Sequence, residues 1–238
     1  MTLRSSSVVI IGGSSGIGLA CAVRAAEAGA DVTVAGRDAA KLTDAQRAIG
    51  EGVRVAALDI ADENAVRRLF VGLERVDHVV VLAGEPISAP LVASDMTLQR
   101  RIMDVRFWGA LYVCKYAAPK LPAEGSITLC SGVAVLRPQR GRPVGVASAA
   151  AVEGLVRALA LEFAPIRVNA ISPGPTRTGV FDRYFNERAE EVVASLAERL
   201  PVRRIGEPAD VAEAILFLMS NSYVTGITLH VDGGYPLI

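Results

Sequence analysis

The chain has 238 residues, with 25 Lys and Arg balancing 25 Asp and Glu, and 51% of its residues are hydrophobic. One α/β domain of that length buries a single large core, and a formal charge of zero excludes the basic field that a nucleic-acid backbone requires of a partner. Three cysteines, Cys21, Cys114 and Cys130, fall inside apolar segments at no disulfide or metal-ligand spacing, so they read as reduced core residues and no metal is expected.

From Met1 the chain runs through Ser5, Ser6 and Ser7 into the apolar run Val8 to Ile11, which is too short for a secretory signal and is needed as a strand. No apolar stretch reaches spanning length without Gly, Pro or charge breaks. The expectation is a soluble, cytoplasmic protein with no membrane partner.

Short runs rich in Val and Ile recur at Val8 to Ile11, Val32 to Ala35, Val53 to Leu58, Val79 to Leu82, Ile127 to Leu129, Val168 to Ile171 and Ile227 to Val231. Unbroken runs of this kind suit strands buried on both faces. Helical patterns alternate with them: Gly16 to Ala28 carries Ile17, Cys21, Ala25 and Ala28 on one stripe, and Asp62 is placed to cap a helix reaching Leu73. The alternation predicts an α/β, Rossmann-type, doubly wound, seven-stranded parallel sheet with helices on both faces, in one domain over 1–238.

Ser148 to Phe163 is apolar on nearly every side, with only Glu153, Arg157 and Glu162 charged. Such a helix must be covered on more than one face, which points to a homodimer or homotetramer interface or to burial within the monomer. The least regular stretch, Pro173 to Pro208, carries Phe181, Tyr184 and Phe185 before a charged helix from Glu187 to Leu200, and 175–207 reads as a substrate lid.

Gly12-Gly13-Ser14-Ser15-Gly16-Ile17-Gly18 follows the first predicted strand and opens a helix. A turn of this kind lets backbone amides and the positive helix terminus meet a pyrophosphate, with Gly where a side chain would block approach or packing. After the second strand, Ala35-Gly36-Arg37-Asp38 offers no carboxylate at its first two positions for a ribose 2′-hydroxyl, and Arg37 suits a 2′-phosphate. The residues therefore favour NADP(H) over NAD(H), although Asp38 and the lack of a cation at Ser14 or Ser15 weigh the other way.

Together with Leu58-Asp59-Ile60, Ala83-Gly84, Arg167 to Gly174 and the terminal Val231-Asp232-Gly233-Gly234, this cradle resembles the short-chain dehydrogenase/reductase family from about Val8 to Gly234. The resemblance implies that Asp59 and Ile60 flank the adenine, that Ala83 and Gly84 line the adenosine ribose, and that Pro173, Gly174 and Thr178 border the nicotinamide. It also implies a catalytic Ser, a Tyr, a Lys four residues later and a supporting Asn. The Lys is needed because a phenol with a pKa near 10 is a poor base at neutral pH unless positive charge favours its phenolate.

Ser131, after the fifth strand, stands at the family's Ser position. Counting forward from it puts Val144 and Ser148 at the Tyr and Lys positions, whereas counting back from Val152-Glu153-Gly154-Leu155 puts Gly145 and Ala149 there. The second register is preferred because loops absorb insertions. Either way both residues are missing: no Tyr lies between Tyr116 and Tyr184, and no Lys follows Lys120.

Arg106 takes the place of the Asn. It cannot act as a base but can donate to a carbonyl, a carboxylate or a phosphate. Arg137, Arg140 and Arg142 either draw an anionic substrate or form a solvated loop face. His78 and His230 sit in strands, badly placed as replacement acids.

Two functions are consistent with these residues. One is an NADP(H)-dependent oxidoreductase of a small carbonyl or alcohol with a degenerate active site, in which Ser131 polarises the carbonyl and Arg106 orients the substrate. The other is a catalytically silent NADP(H)-binding sensor or scaffold.

Overall fold

The computed structural model describes residues 3–50, 52–84, 88–179, 181 and 185–238. Seven parallel strands form one sheet in the order β3-β2-β1-β4-β5-β6-β7. They are β1 (Ser7–Ile11), β2 (Asp31–Gly36), β3 (Arg54–Ala57), β4 (His78–Val81), β5 (Ser126–Cys130), β6 (Arg167–Pro173) and β7 (Thr228–Val231). Each predicted run is present, with ends shifted by a residue or two.

Alternation along the strands builds two cores. In β1, Val9 and Ile11 join one apolar cluster while Val8 and Ile10 join another on the opposite face. Both faces of an inner strand are thus apolar, as a parallel sheet between two helical layers requires. The expectation of two-sided burial fails at the edges: Val55 of β3 is 37% exposed and β7 is only partly buried. An edge strand has a neighbour on one side only and lies beyond full helical cover.

Helices α1 (Gly16–Glu27), α2 (Ala39–Ile49), α3 (Glu63–Val71), α4 (Met96–Met103), α5 (Gly109–Ala117) and α6 (Pro143–Glu162) alternate with the strands. Two more, α7 (Ala189–Arg199) and α8 (Pro208–Ser220), follow β6. As predicted, Asp62 caps α3, its carboxylate accepting from the Asn64 and Ala65 amides. The charged helix expected from Glu187 begins as a short 3-10 turn, Asn186–Arg188, before α7.

The end of α8 is held from the sheet. Arg167, buried at the start of β6, donates to the carbonyls of Leu218 and Met219, placing a cation on the negative end of the helix.

Helix α4 runs through a wider π-helical turn, Asp104–Trp108, into α5. Helix α6 starts five residues before the predicted Ser148, with Pro143 in its first turn, where the missing amide proton costs nothing. Its inner face buries Ser148, Ala149, Val152, Val156 and Leu159. The outer face leaves Ala147, Ala150, Gly154, Ala158 and Leu161 exposed, so the chain itself covers one side only. By length and composition α6 could cross a membrane, but it carries Glu153 and Arg157 and packs on the sheet.

Strand order reverses between β1 and β4, the place where a doubly wound sheet opens a crevice at the carboxyl ends of its strands. The glycine turn after β1 and the ends of β4 and β5 meet there.

Candidate active site

Gly12 leaves β1 with φ +85°, and a Cβ on it would stand 2.7 Å from the Ala83 nitrogen. At Gly18 a Cβ would fall 2.1 Å from the Gly12 carbonyl oxygen. The turn can therefore pack this tightly only with glycine at both positions. Helix α1 begins at Gly16, and Ser15, its N-cap, places no side-chain oxygen on the first-turn amides. An unsatisfied helix start suits an anionic ligand.

A groove of about 850 Å³ runs from this turn. Of the predicted cofactor residues, Gly12, Ser14, Ser15, Gly16, Ile17, Gly18, Arg37, Ile60, Ala83, Gly84 and Thr178 line it. Pro173 and Gly174 line an adjoining cavity of about 310 Å³, which Thr178 also borders. Asp59 lines neither. Its carboxylate accepts from the Ala61 amide at 3.0 Å and pairs with Arg101 at 2.7 Å. Partial burial works to raise its pKa, but those two contacts hold it below the usual value.

At the far end of the groove Arg37 is joined by Lys41, a cation that sequence reading missed. Asp38, which had argued against a phosphate there, caps α2 by accepting from the Ala40 and Lys41 amides at 3.0 and 3.1 Å. Helical spacing from Arg37 could have found Lys41, since the two are four residues apart across a helix start.

Ile17, Arg106, Cys130 and Thr178 line both the groove and the smaller cavity, so the two spaces meet at these residues. Arg106 lies in the π-helical turn and donates from Nη1 to the Ser131 carbonyl at 2.9 Å, while its buried Nε has no hydrogen-bond partner among the described residues. An unsatisfied guanidinium nitrogen at the junction suits an acceptor on a bound molecule. Burial pushes the Cys130 thiol up, against the opposing pull of Arg106.

Ser131 lines the smaller cavity and is only 2% exposed. Its Oγ donates to Glu153 Oε1 at 2.7 Å, with the Ala149 carbonyl 3.3 Å away. On the same side of α6, Gly145, Val146 and Ala149 line the cavity. Val144 does not line it, and the buried Ser148 hydroxyl bonds the Gly145 carbonyl. Glu153 was missed although it lies four residues past Ala149 and so on the same helix face.

Phe181 and Phe185, from the predicted lid, border the cavity, whereas Tyr184 lies outside the described residues. Arg137 and Arg142 line it and Arg140 does not. Tyr235 also lines it: its ring lies 4.7 Å from the Arg137 guanidinium and its hydroxyl accepts from Gln139 at 3.0 Å. His78 is buried against Ser126, Nδ1 to Oγ 2.8 Å, and burial pushes its pKa down to about 4. His230 is exposed in β7.

A glycine-turned groove at the switch point of a doubly wound sheet, opening on a cavity edged by Ser131, defines a dinucleotide-dependent enzyme site of the Rossmann type. The family described as Enoyl-(Acyl carrier protein) reductase matches residues 12–236. The chain is 36% identical to short-chain dehydrogenase/reductase ucsE of an Acremonium species, over 98% of this chain and 96% of that one. The structure of MalC Reductase/Diels-Alderase from Malbranchea aurantiaca superposes with a TM-score of 0.94 at 31% identity, covering 99% and 98% of the two chains. A small-chain dehydrogenase crystallised with NADPH gives a TM-score of 0.86 at 35% identity, covering 99% and 100%. The chain belongs to the short-chain dehydrogenase/reductase family, and it is an oxidoreductase of that type dependent on a nicotinamide dinucleotide.

Proposed function

We propose that the protein is an NADP(H)-dependent reductase of a small carbonyl compound, or in reverse a dehydrogenase of the alcohol, working with a degenerate active site. The observation that carries this reading is the junction: the cofactor groove and a cavity of substrate size share Arg106, Cys130 and Thr178, and Ser131 edges the cavity. Bound in the groove, the dinucleotide would supply a hydride. Gly12, Gly16 and Gly18 would admit its pyrophosphate, Arg37 and Lys41 would meet a 2′-phosphate, and Pro173, Gly174 and Thr178 would border the nicotinamide. The preference for NADP(H) is supported by these two cations; Asp38, which caps α2 through Oδ1, also lines the groove and faces Lys41 at 3.9 Å.

The family's Tyr and Lys positions are read as Gly145 and Ala149, which bring neither phenol nor ammonium to the cavity. Orientation of a carbonyl by Arg106 and Ser131 keeps hydride transfer feasible, because positioning by itself removes much of a barrier. The same absence favours a second reading, a silent NADP(H)-binding sensor or scaffold.

Titration of the pure protein with NADPH and NADH separates the two, followed by nicotinamide absorbance across ketones, aldehydes and quinones. NADPH binding with turnover of at least one substrate is expected. Binding without turnover would leave the sensor, and no binding of either dinucleotide would defeat both. The exposed small-residue face of α6 supports assembly into a homodimer or homotetramer.

A further inference from the structure

We infer that Glu153 supplies the proton consumed in carbonyl reduction, acting through the hydroxyl of Ser131. The inference rests on the reductase reading and deepens it by naming the source of the proton.

Ser131 is the cavity-lining hydroxyl held 2.7 Å from a carboxylate. A serine hydroxyl has one proton and two lone pairs, so it can accept from a carboxyl while donating to a substrate oxygen. Side chains on a helix lean over the turn before their own Cα. Glu153 therefore lies over Ala149, whose single methyl leaves room for the carboxyl to reach Ser131 beside the Ala149 carbonyl. Gly145 and Ala149 bring no proton to this face of α6, and the next residue along it does.

The step balances. When a carbonyl carbon gains hydride, its C=O π pair moves to oxygen, and that oxygen takes the Ser131 proton. Ser131 Oγ takes the proton of the Glu153 carboxyl, leaving a carboxylate. Glu153 is only half-buried, so water can reload it. One hydride and one proton reduce the carbonyl, and the dinucleotide is oxidised. In the bond as it stands Ser131 donates to the carboxylate and the cavity lacks its donor; the relay needs the carboxyl form of Glu153, which donates in the reverse sense and frees the Ser131 proton for the substrate. Reduction should therefore slow as pH rises, and oxidation of the alcohol should respond in the opposite sense.

The charged and titratable groups on the elements around this part of α6 are Arg100 and Arg101 of α4, Asp104 and Arg106 of the π-helical turn, Cys130 of β5, Arg167 of β6 and Arg157 of α6 itself. Arg101 pairs with Asp59, Arg167 binds the end of α8, and Arg106 bonds the carbonyl of Ser131 itself.

The test uses Glu153→Gln and Glu153→Asp in the full chain, with NADPH affinity by fluorescence and kcat against pH. Glu153→Gln is expected to keep NADPH affinity and melting temperature, to lower kcat by about 10²- to 10⁴-fold, and to lose the alkaline fall in reduction. Glu153→Asp, which keeps a titrating carboxyl, should restore that fall in part.

Parent-like kcat and pH profile in Glu153→Gln would overturn the relay and leave the reductase standing. Loss of the alkaline limb in Tyr235→Phe and not in Glu153→Gln would give the proton to Tyr235 instead. NADPH binding with no turnover by the parent would defeat the reductase reading and the relay with it.

Discussion

The Gly12 carbonyl occupies the space a side chain at Gly18 would need. With a hypothetical Cβ at Gly18 only 2.1 Å from the Gly12 carbonyl oxygen, Gly18→Ala must push the turn apart. We predict that it abolishes measurable NADPH binding in a fluorescence titration, and retained affinity would show that the turn does not hold the pyrophosphate. At the other end of the groove, Arg37→Ala with Lys41→Ala should weaken NADPH by about 10- to 100-fold, at about 1.5–3 kcal/mol for a charge-assisted contact, and leave NADH nearly unchanged. Equal loss for both dinucleotides would deny the 2′-phosphate role. Residues of the first kind are legible in a sequence because their reason is local: a glycine turn between strand and helix. Lys41 and Glu153 sit at helical spacing from Arg37 and Ala149, but only the folded chain shows that one lines the groove and the other meets Ser131. Asp59 shows the converse, since its motif is local but its carboxylate is engaged by Arg101 from a distant helix.

Strands and helices were legible wherever both sides of an element share one environment. All five inner strands match their apolar runs, whereas β3 and β7 show that a run of apolar letters does not record whether a strand ends the sheet. The start of α6 was misplaced because Pro143 looks like an interruption and is a first-turn residue. His78 gives β4 a pH response. Its ordinary pKa of 6.5 is lowered to about 4, first by burial and then by Arg167, with Asp77 opposing. Between those values the unfolded chain binds a proton that the folded chain refuses, so stability falls as pH drops through that window. The full effect is about 3 kcal/mol. Urea unfolding midpoints should fall between pH 7 and pH 5, and His78→Asn should flatten that slope; an unchanged slope would place the acid sensitivity elsewhere.

For the whole molecule, the exposed outer face of α6, with Leu161 83% exposed, is the surface on which a second copy is expected to pack. Ala150→Arg on that face should convert the assembly to a monomer in light scattering at micromolar concentration. A parent that is already monomeric would sink the proposed interface. The parallel, doubly wound sheet was readable from the alternation of strands and helices, whereas its strand order was not, because the favoured hand of each βαβ unit does not say where the winding reverses. The smaller cavity was not readable either, for it is walled by β5, α6, the segment after β6 and Tyr235, parts that lie up to more than a hundred residues apart.

The π-helical turn at Asp104–Trp108 sets the angular phase of everything around it. A regular helix advances by 3.6 residues per turn, and the wider turn holds an additional residue without lengthening the rod in proportion. Arg106 stands within that surplus, while Ile102 before it and Ala110 after it both stay buried. The buried stripe of α4 and α5 is thus stitched back together around an offset side chain. Removing one residue from the turn would leave the helix intact and rotate the guanidinium out of the junction, so this site is tuned by rotation about a helix axis as much as by the identity of its residues.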